Sequence, residues 1–241
     1  MDLFEKQWAS YRAVVERDLM EHRALAEATA NALEAWLAAR ASEAPAPALV
    51  DLGCGDLALL APLLRRLPLA SYTGLDLTAA VLPLAQAALG PVPYPCHWQQ
   101  GDLLAWATGE PGSDGLSAAE PVEILHTAFA VHHLNDDQKA AFLAGARRRI
   151  AADGLLLWGD VFREPGEALD AYRQRYSTRV RHGWGTLQAE QQHQVIDHLS
   201  SFDMPAERGA IEEMARQAGW HWRWAWRGQH QAEALAVLTP A

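Results

Sequence analysis

Four aspartates, Asp51, Asp76, Asp102 and Asp160, each stand at or beside the end of a short apolar run. Between the first and the second lies Gly53-Cys54-Gly55. Glycines at such a place let the backbone turn sharply and let a ligand approach where a Cβ would block it. Asp76 follows Gly53 by 23 residues, and a carboxylate at that position can accept hydrogen bonds from two vicinal ribose hydroxyls. Its competing role is to cap the next helix, a task Thr78 could equally perform. Taken together, Gly53, Gly55 and Asp76 point to a cofactor that carries a ribose.

Two cofactor classes fit such a turn. Gly53-x-Gly55-x-x-Ala58 satisfies the dinucleotide fingerprint. Three features favour S-adenosylmethionine instead. Asp51 would repel a pyrophosphate but attract the ammonium of a methionine moiety. Asp102 can accept from an adenine amino group, with the Leu103 backbone donating to a ring nitrogen. The pattern after residue 219 reads as a terminal hairpin, which the dinucleotide fold lacks.

The acceptor side is marked by His132 and His133, just beyond the fourth apolar run, and by Asp160 at the end of the fifth. His132 and Asp160 are the candidate catalytic residues, as acceptor-orienting groups or, for His132, a base; a capping or packed histidine is the plain alternative. His126 reads as a core histidine. No metal site is expected, because no His-x-x-x-His and no Cys/His cluster appears and His193 and His198 are five residues apart. The rest of the acceptor site is expected from Trp8 and Tyr11 near the N-terminus and from Tyr172, Arg173 and Tyr176. Aromatic walls suit an amine or planar group and arginine suits a carboxylate.

The elements that must position these residues follow from periodicity. Residues 2–40, without Pro or Gly, read as one kinked helix or two, with a Leu33-Trp36-Leu37 stripe. Pro45 and Pro47 end it. Short apolar runs at 48–52, 72–75, 96–100, 122–128 and 155–161 read as strands. Helical stretches at 57–67, 79–89 and 136–150 lie between them, and 108–120 reads as a loop. Asp153-Gly154 is expected to be the turn into the fifth strand. The alternation implies right-handed crossovers and a parallel sheet covered on both faces. Residues 166–200 read as two polar helices around Gly183-Trp184-Gly185, and 206–218 as another. Two successive strands, 220–227 and 234–238, end the pattern; Trp222, Trp224 and Trp226 alternate as on one covered face.

Several of these segments resemble the class I (Rossmann-like) S-adenosylmethionine-dependent methyltransferases. Val50-Asp51-Leu52-Gly53-Cys54-Gly55-Asp56 is similar to their first motif, and Val122 to Leu134 to their fourth strand and its loop. Ala152-Asp153-Gly154-Leu155-Leu156-Leu157 resembles their turn into the fifth strand, and Ala218-Gly219-Trp220 their turn before the last hairpin. The resemblance implies a doubly wound, mostly parallel seven-stranded sheet with an antiparallel C-terminal hairpin. It implies that Asp51, Gly53, Cys54 and Gly55 hold the methionine end, and Asp76 and Leu77 the ribose. Asp102 and Leu103 would hold the adenine, with Ala128 and Phe129 offering backbone to the methionine moiety. Leu57 stands where the family often has a third glycine, and its bulk could narrow the pocket. The expected organisation is a helical cap (1–47), a cofactor-binding core (48–162), a helical lid (163–205) and a closing helix and hairpin (206–241).

Bulk properties narrow the partners. Lys plus Arg is 20 and Asp plus Glu is 30, a formal charge of −10, which disfavours nucleic acid and anionic membranes. Two cysteines make no disulfide framework, and no apolar run reaches a membrane span. The reading is a cytoplasmic enzyme that methylates a small molecule and releases S-adenosylhomocysteine. Its rivals are an idle cofactor-binding module of the same fold and an NAD-dependent oxidoreductase.

Overall fold

The computed structural model describes residues 3–109 and 121–241, with side chains from Ser10 onward. Seven strands form one sheet: β1 (Ala48–Leu52), β2 (Ser71–Asp76), β3 (Cys96–Gln100), β4 (Val122–Ala128), β5 (Ile150–Val161), β6 (Trp220–Arg227) and β7 (Glu233–Pro240). Their spatial order is β3-β2-β1-β4-β5-β7-β6. Pairings from β3 through β5 are parallel, and β7 runs antiparallel to both β5 and β6. The chain leaves β1 towards β3 and returns to place β4 on β1's other side. The strand order therefore reverses between β1 and β4, where an open α/β sheet presents its ligand crevice.

The sheet is apolar on both faces because both are covered. Leu155, Leu156, Leu157 and Trp158 are successive, and all are buried. One face packs on α5 (Leu103–Thr108), α6 (Asp136–Arg149) and α9 (Arg208–Gln217), through Trp106, Phe142 and Ile211. The other packs on α2 (His22–Ala39), α3 (Ala61–Leu64) and α4 (Leu82–Leu89), through Leu33, Leu64 and Leu89. A third apolar cluster joins α1 (Leu3–Glu16), α7 (Leu169–Gly183) and α8 (Ala189–Phe202) to the end of β5 through Val14, Val161, Tyr176 and Leu199.

The structure departs from the sequence expectations in four places. The helix expected at 57–67 is one α-turn, Ala61–Leu64, flanked by turns, because Leu57 has a left-handed backbone (φ 57°) that no α-helix tolerates. α5 was not expected; the Asp102 carboxylate starts it by accepting from the amides of Leu104 (2.7 Å) and Ala105 (2.9 Å). The loop expected at 108–120 falls, for 110–120, outside the described residues. β5 begins at Ile150, so Asp153-Gly154 is a bulge within it: Val122 pairs with Ile150 but Ile124 with Leu155. In β6, Trp224 pairs with Ala236 and Trp226 with Leu235. That extra residue turns Trp226 to the cluster under α2, away from Trp222 and Trp224 on the opposite face.

Candidate active site

The glycine turn after β1 is fixed by the end of β2. The amides of Gly53 and Cys54 both donate to the Leu75 carbonyl, at 2.8 and 3.0 Å. Gly53 has φ 78°, and a Cβ there would sit 2.6 Å from the Cβ of Ala130 in the loop after β4. Glycine is thus required on two grounds, handedness and contact. Gly55 has φ 55°, but a Cβ there would meet nothing nearer than the Tyr11 hydroxyl at 4.0 Å. It would project instead into a cavity of about 520 Å³ that both glycines line. Asp76 ties the turn down: its Oδ2 accepts from the Gly55 amide (2.9 Å) and its Oδ1 from the Thr78 amide (2.8 Å). The Thr78 side chain caps nothing. Burial pushes the Asp76 pKa up, against the pull of these two amides.

The cavity gathers most of the residues expected to hold a cofactor. Gly53, Gly55, Asp76, Leu77, Asp102, Leu103, Ala128 and Phe129 all line it. Leu77 forms an exposed rim, and Phe129, with a left-handed backbone (φ 50°), turns the chain back over it. Two expected residues stand behind the cavity. Asp51 is 1% exposed, and its oxygens accept from the Tyr72 hydroxyl (3.0 Å) and face His126 Nδ1 (2.7 Å). Cys54 is buried against Gly74, and burial raises its thiol pKa far above the ordinary range. Leu57 does not narrow the pocket, because its side chain is buried in the core cluster under α2.

The same cavity continues under the third apolar cluster. There Val14, Val161, Tyr172, Tyr176, Trp184 and Leu199 form its walls. Tyr11 lines it from α1; the Trp8 side chain lies outside the described residues. Tyr172 is fully buried with a hydroxyl that has no partner among the described residues. The Tyr176 hydroxyl donates to Glu233 Oε1 at 2.9 Å, so Tyr176 offers the cavity its ring. Arg173 is not brought to the cavity; its Nη2 donates to the Asp203 carbonyl at 3.1 Å and braces the loop after α8.

His132 reaches the cavity and Asp160 does not. Asp160, 1% exposed, accepts from the His132 amide (3.0 Å), Trp158 Nε1 (3.0 Å) and the Val161 amide (2.9 Å), and pairs with His132 Nδ1 at 2.6 Å. Enclosed at the strand end, this carboxylate holds the His132 ring and amide in place. Burial would depress the His132 pKa, but the Asp160 carboxylate raises it above the ordinary value. Asp160 is lowered in turn, chiefly by His132 against the effect of its own burial. His133 is held down to about 3 by burial and by its neighbours His132 and His198.

Sequence spacing missed three groups here: His22, His198 and Asp203. Asp203 Oδ1 lies 3.5 Å from His132 Nε2, 3.5 Å from His133 Nδ1 and 3.4 Å from His198 Nε2. Burial raises the Asp203 pKa. No local pattern links residues some seventy positions apart; the loop after α8 joins them, its Met204 amide donating to the His132 carbonyl at 2.8 Å.

The seven-stranded sheet, with its antiparallel last strands, is similar to known methyltransferase structures. Residues 50–156 match the family model described as a methyltransferase domain. The chain is 41% identical over 120 residues to a trans-aconitate 2-methyltransferase of Azoarcus sp. (strain BH72), spanning 50% of this chain and 41% of that relative. Among solved structures, it resembles a methyltransferase of calicheamicin biosynthesis in its SAH-bound form (TM-score 0.58, 18% identity, covering 96% of this chain and 56% of that one). It also resembles the magnesium protoporphyrin IX methyltransferase of Synechocystis PCC 6803 with bound SAH (TM-score 0.57, 14% identity, 92% and 86%). No helix among the described residues is long and apolar enough to cross a membrane.

Proposed function

We propose that this chain transfers a methyl group from S-adenosylmethionine to a small-molecule acceptor. The observation that carries the reading is one cavity of about 520 Å³ that runs from the glycine turn and Asp76 to a second compartment walled by Tyr172, Tyr176 and Trp184. That volume suits a cofactor or drug-sized ligand, for which pockets run roughly 300–1,000 Å³. The Gly55 position fits the cofactor, since a side chain there would fill the space its backbone lines. Asp76 would hold the ribose hydroxyls with the lone pairs left by Gly55 and Thr78. Asp102 caps α5 through Oδ1 alone, and with the Leu103 backbone it would hold the adenine. Asp51, behind the turn, would act on the methionine ammonium through its negative charge, as a fixed field instead of a contact.

When bound, the cofactor supplies an activated methyl on a sulfonium. The protein's part is alignment and exclusion of water. His132, steadied by Asp160, would orient the acceptor; Phe129 and the aromatic walls would keep the reacting space apolar. The relative's name makes trans-aconitate and other small carboxylic acids the first acceptors to try. Calorimetry with S-adenosylmethionine, S-adenosylhomocysteine and NAD, with Asp76→Ala beside the native chain, tests the reading. Micromolar binding of both sulfur ligands, lost in the variant and absent for NAD, is expected. Binding of NAD instead, or of nothing, overturns it. Binding without methyl transfer to any acceptor tried would favour an idle module.

A further inference from the structure

We propose that His132, His133 and Asp203 form a site for a divalent transition-metal ion in the acceptor compartment. One ligand atom from each residue lies within 4.8 Å of the others. His132 Nε2 and His133 Nδ1 each stand 3.5 Å from Asp203 Oδ1. Ions such as zinc bind nitrogen and oxygen at about 2.0–2.2 Å, which places the ligand atoms of a tetrahedral site roughly 3.3–3.6 Å apart. The Asp203 oxygen is therefore too far from the rings to be hydrogen-bonded and at the right separation to share an ion with them. It is buried and has no hydrogen-bond partner among the described residues, although His198 Nε2 also approaches it, at 3.4 Å. A cation between these atoms resolves an arrangement that is otherwise unsatisfied.

The surroundings are those of a prepared site. His132 gives Nδ1 to Asp160 at 2.6 Å, which fixes its ring and leaves Nε2 facing Asp203. A carboxylate behind a ligating imidazole is the usual support for such a ligand. The two halves of the site are stitched together. The Met204 amide donates to the His132 carbonyl at 2.8 Å, and Lys139 Nζ donates to the carbonyls of both Leu134 and Met204. Two imidazoles and one carboxylate suit a borderline ion such as Zn²⁺ or Co²⁺ better than Mg²⁺ or Ca²⁺, which prefer oxygen alone.

Three protein ligands leave a coordination position, and all three residues line the cavity. Resting on the methyltransferase reading, that position takes the acceptor through a hydroxyl or carboxylate oxygen. For a hydroxyl, the ion lowers its pKa and the proton leaves to water. The oxygen then forms its bond to the methyl carbon as the carbon–sulfur bond breaks, the electron pair staying on sulfur.

The test uses untagged full-length protein, stripped with a chelator and titrated with Co²⁺ and then Zn²⁺. One Co²⁺ per chain is expected, with the visible absorption of a low-coordinate ion, displaced by Zn²⁺. His133→Ala and Asp203→Asn each weaken binding at least tenfold, and Asp160→Asn weakens it about 10–100-fold. His221→Gln, on the exposed face of β6, leaves it unchanged. Absence of the Co²⁺ spectrum, or equal affinity in His133→Ala and the native chain, overturns the site. Calorimetry with S-adenosylhomocysteine on the same samples confirms that variants are folded and separates the two claims. Cofactor binding without metal sinks the site alone; metal without cofactor sinks the methyltransferase reading alone.

Discussion

Leu57 combines two opposing effects at one residue. Its left-handed backbone (φ 57°) costs about 1–2 kcal/mol for an L side chain. Its side chain is 4% exposed in the cluster under α2, and truncating a buried leucine costs about 2–5 kcal/mol. Burial is the larger, so Leu57→Gly should lose about 1–3 kcal/mol in denaturant unfolding while affinity for S-adenosylhomocysteine stays the same. A gain in stability would mean that strain dominates. His22 offers a test by pH. It is 3% exposed, its Nδ1 has no partner among the described residues, and burial lowers its pKa to about 4, with Asp18 opposing and Arg179 reinforcing the shift. The unfolded chain takes up this proton below about 6.5 and the folded chain only below about 4. Between those values the unfolded state binds more protons, so stability falls as pH drops through that window. His22→Gln should flatten the fall between pH 6.5 and 4, by up to about 3 kcal/mol; an unchanged slope in the variant would show that His22 is not its source.

The elements show why some of the site was readable and some was not. Strand ends could be read because apolar runs and turn residues are local, and most of the residues chosen there do line the cavity. That Asp51 and Cys54 stand behind the cavity is not legible in the sequence, because period-two alternation does not say which face of a strand end a ligand will take. α5 escaped notice because six residues are too few for a helical period. Asp203 escaped because it lies in a loop whose place is set by tertiary contacts. Lys139 sets that place: fully buried on α6, it donates to carbonyls on both sides of the site, and burial lowers its pKa to about 8. Lys139→Met keeps the aliphatic stem but leaves two carbonyls without a donor, a loss of about 2–4 kcal/mol. Hydrogen exchange at the Met204 amide should accelerate in the variant beyond the global change. Equal acceleration throughout the chain would mean that Lys139 stabilises the fold as a whole and not this loop.

At the scale of the molecule, the cavity is bounded by regions of unequal strength. Its floor is the sheet, held on both sides by the two large apolar clusters. Its roof is α1, α7 and α8, joined by the smaller third cluster. Among the described residues, α1 and the chain just after it are tied to α7, α8 and the turn between them by Ser10 Oγ donating to Gln194 Oε1 at 2.5 Å, by Arg17 donating to the Thr186 carbonyl and by Arg179 donating to the Leu19 carbonyl. Elements with fewer buried contacts open at lower free energy than the core. A ligand filling the cavity touches Tyr11 and Val14 from α1 and Gln194, Val195 and Leu199 from α8, so its binding energy suppresses those openings. Saturating S-adenosylhomocysteine should therefore slow amide exchange along α1 and α8 more than along β1, β4 and β5, which lie in the core where opening costs most. Protection confined to residues 53–55 and 76–78 would show that the roof stays open with the cofactor alone. In that case closure awaits the acceptor, and adding a competent acceptor should extend the protection to α8.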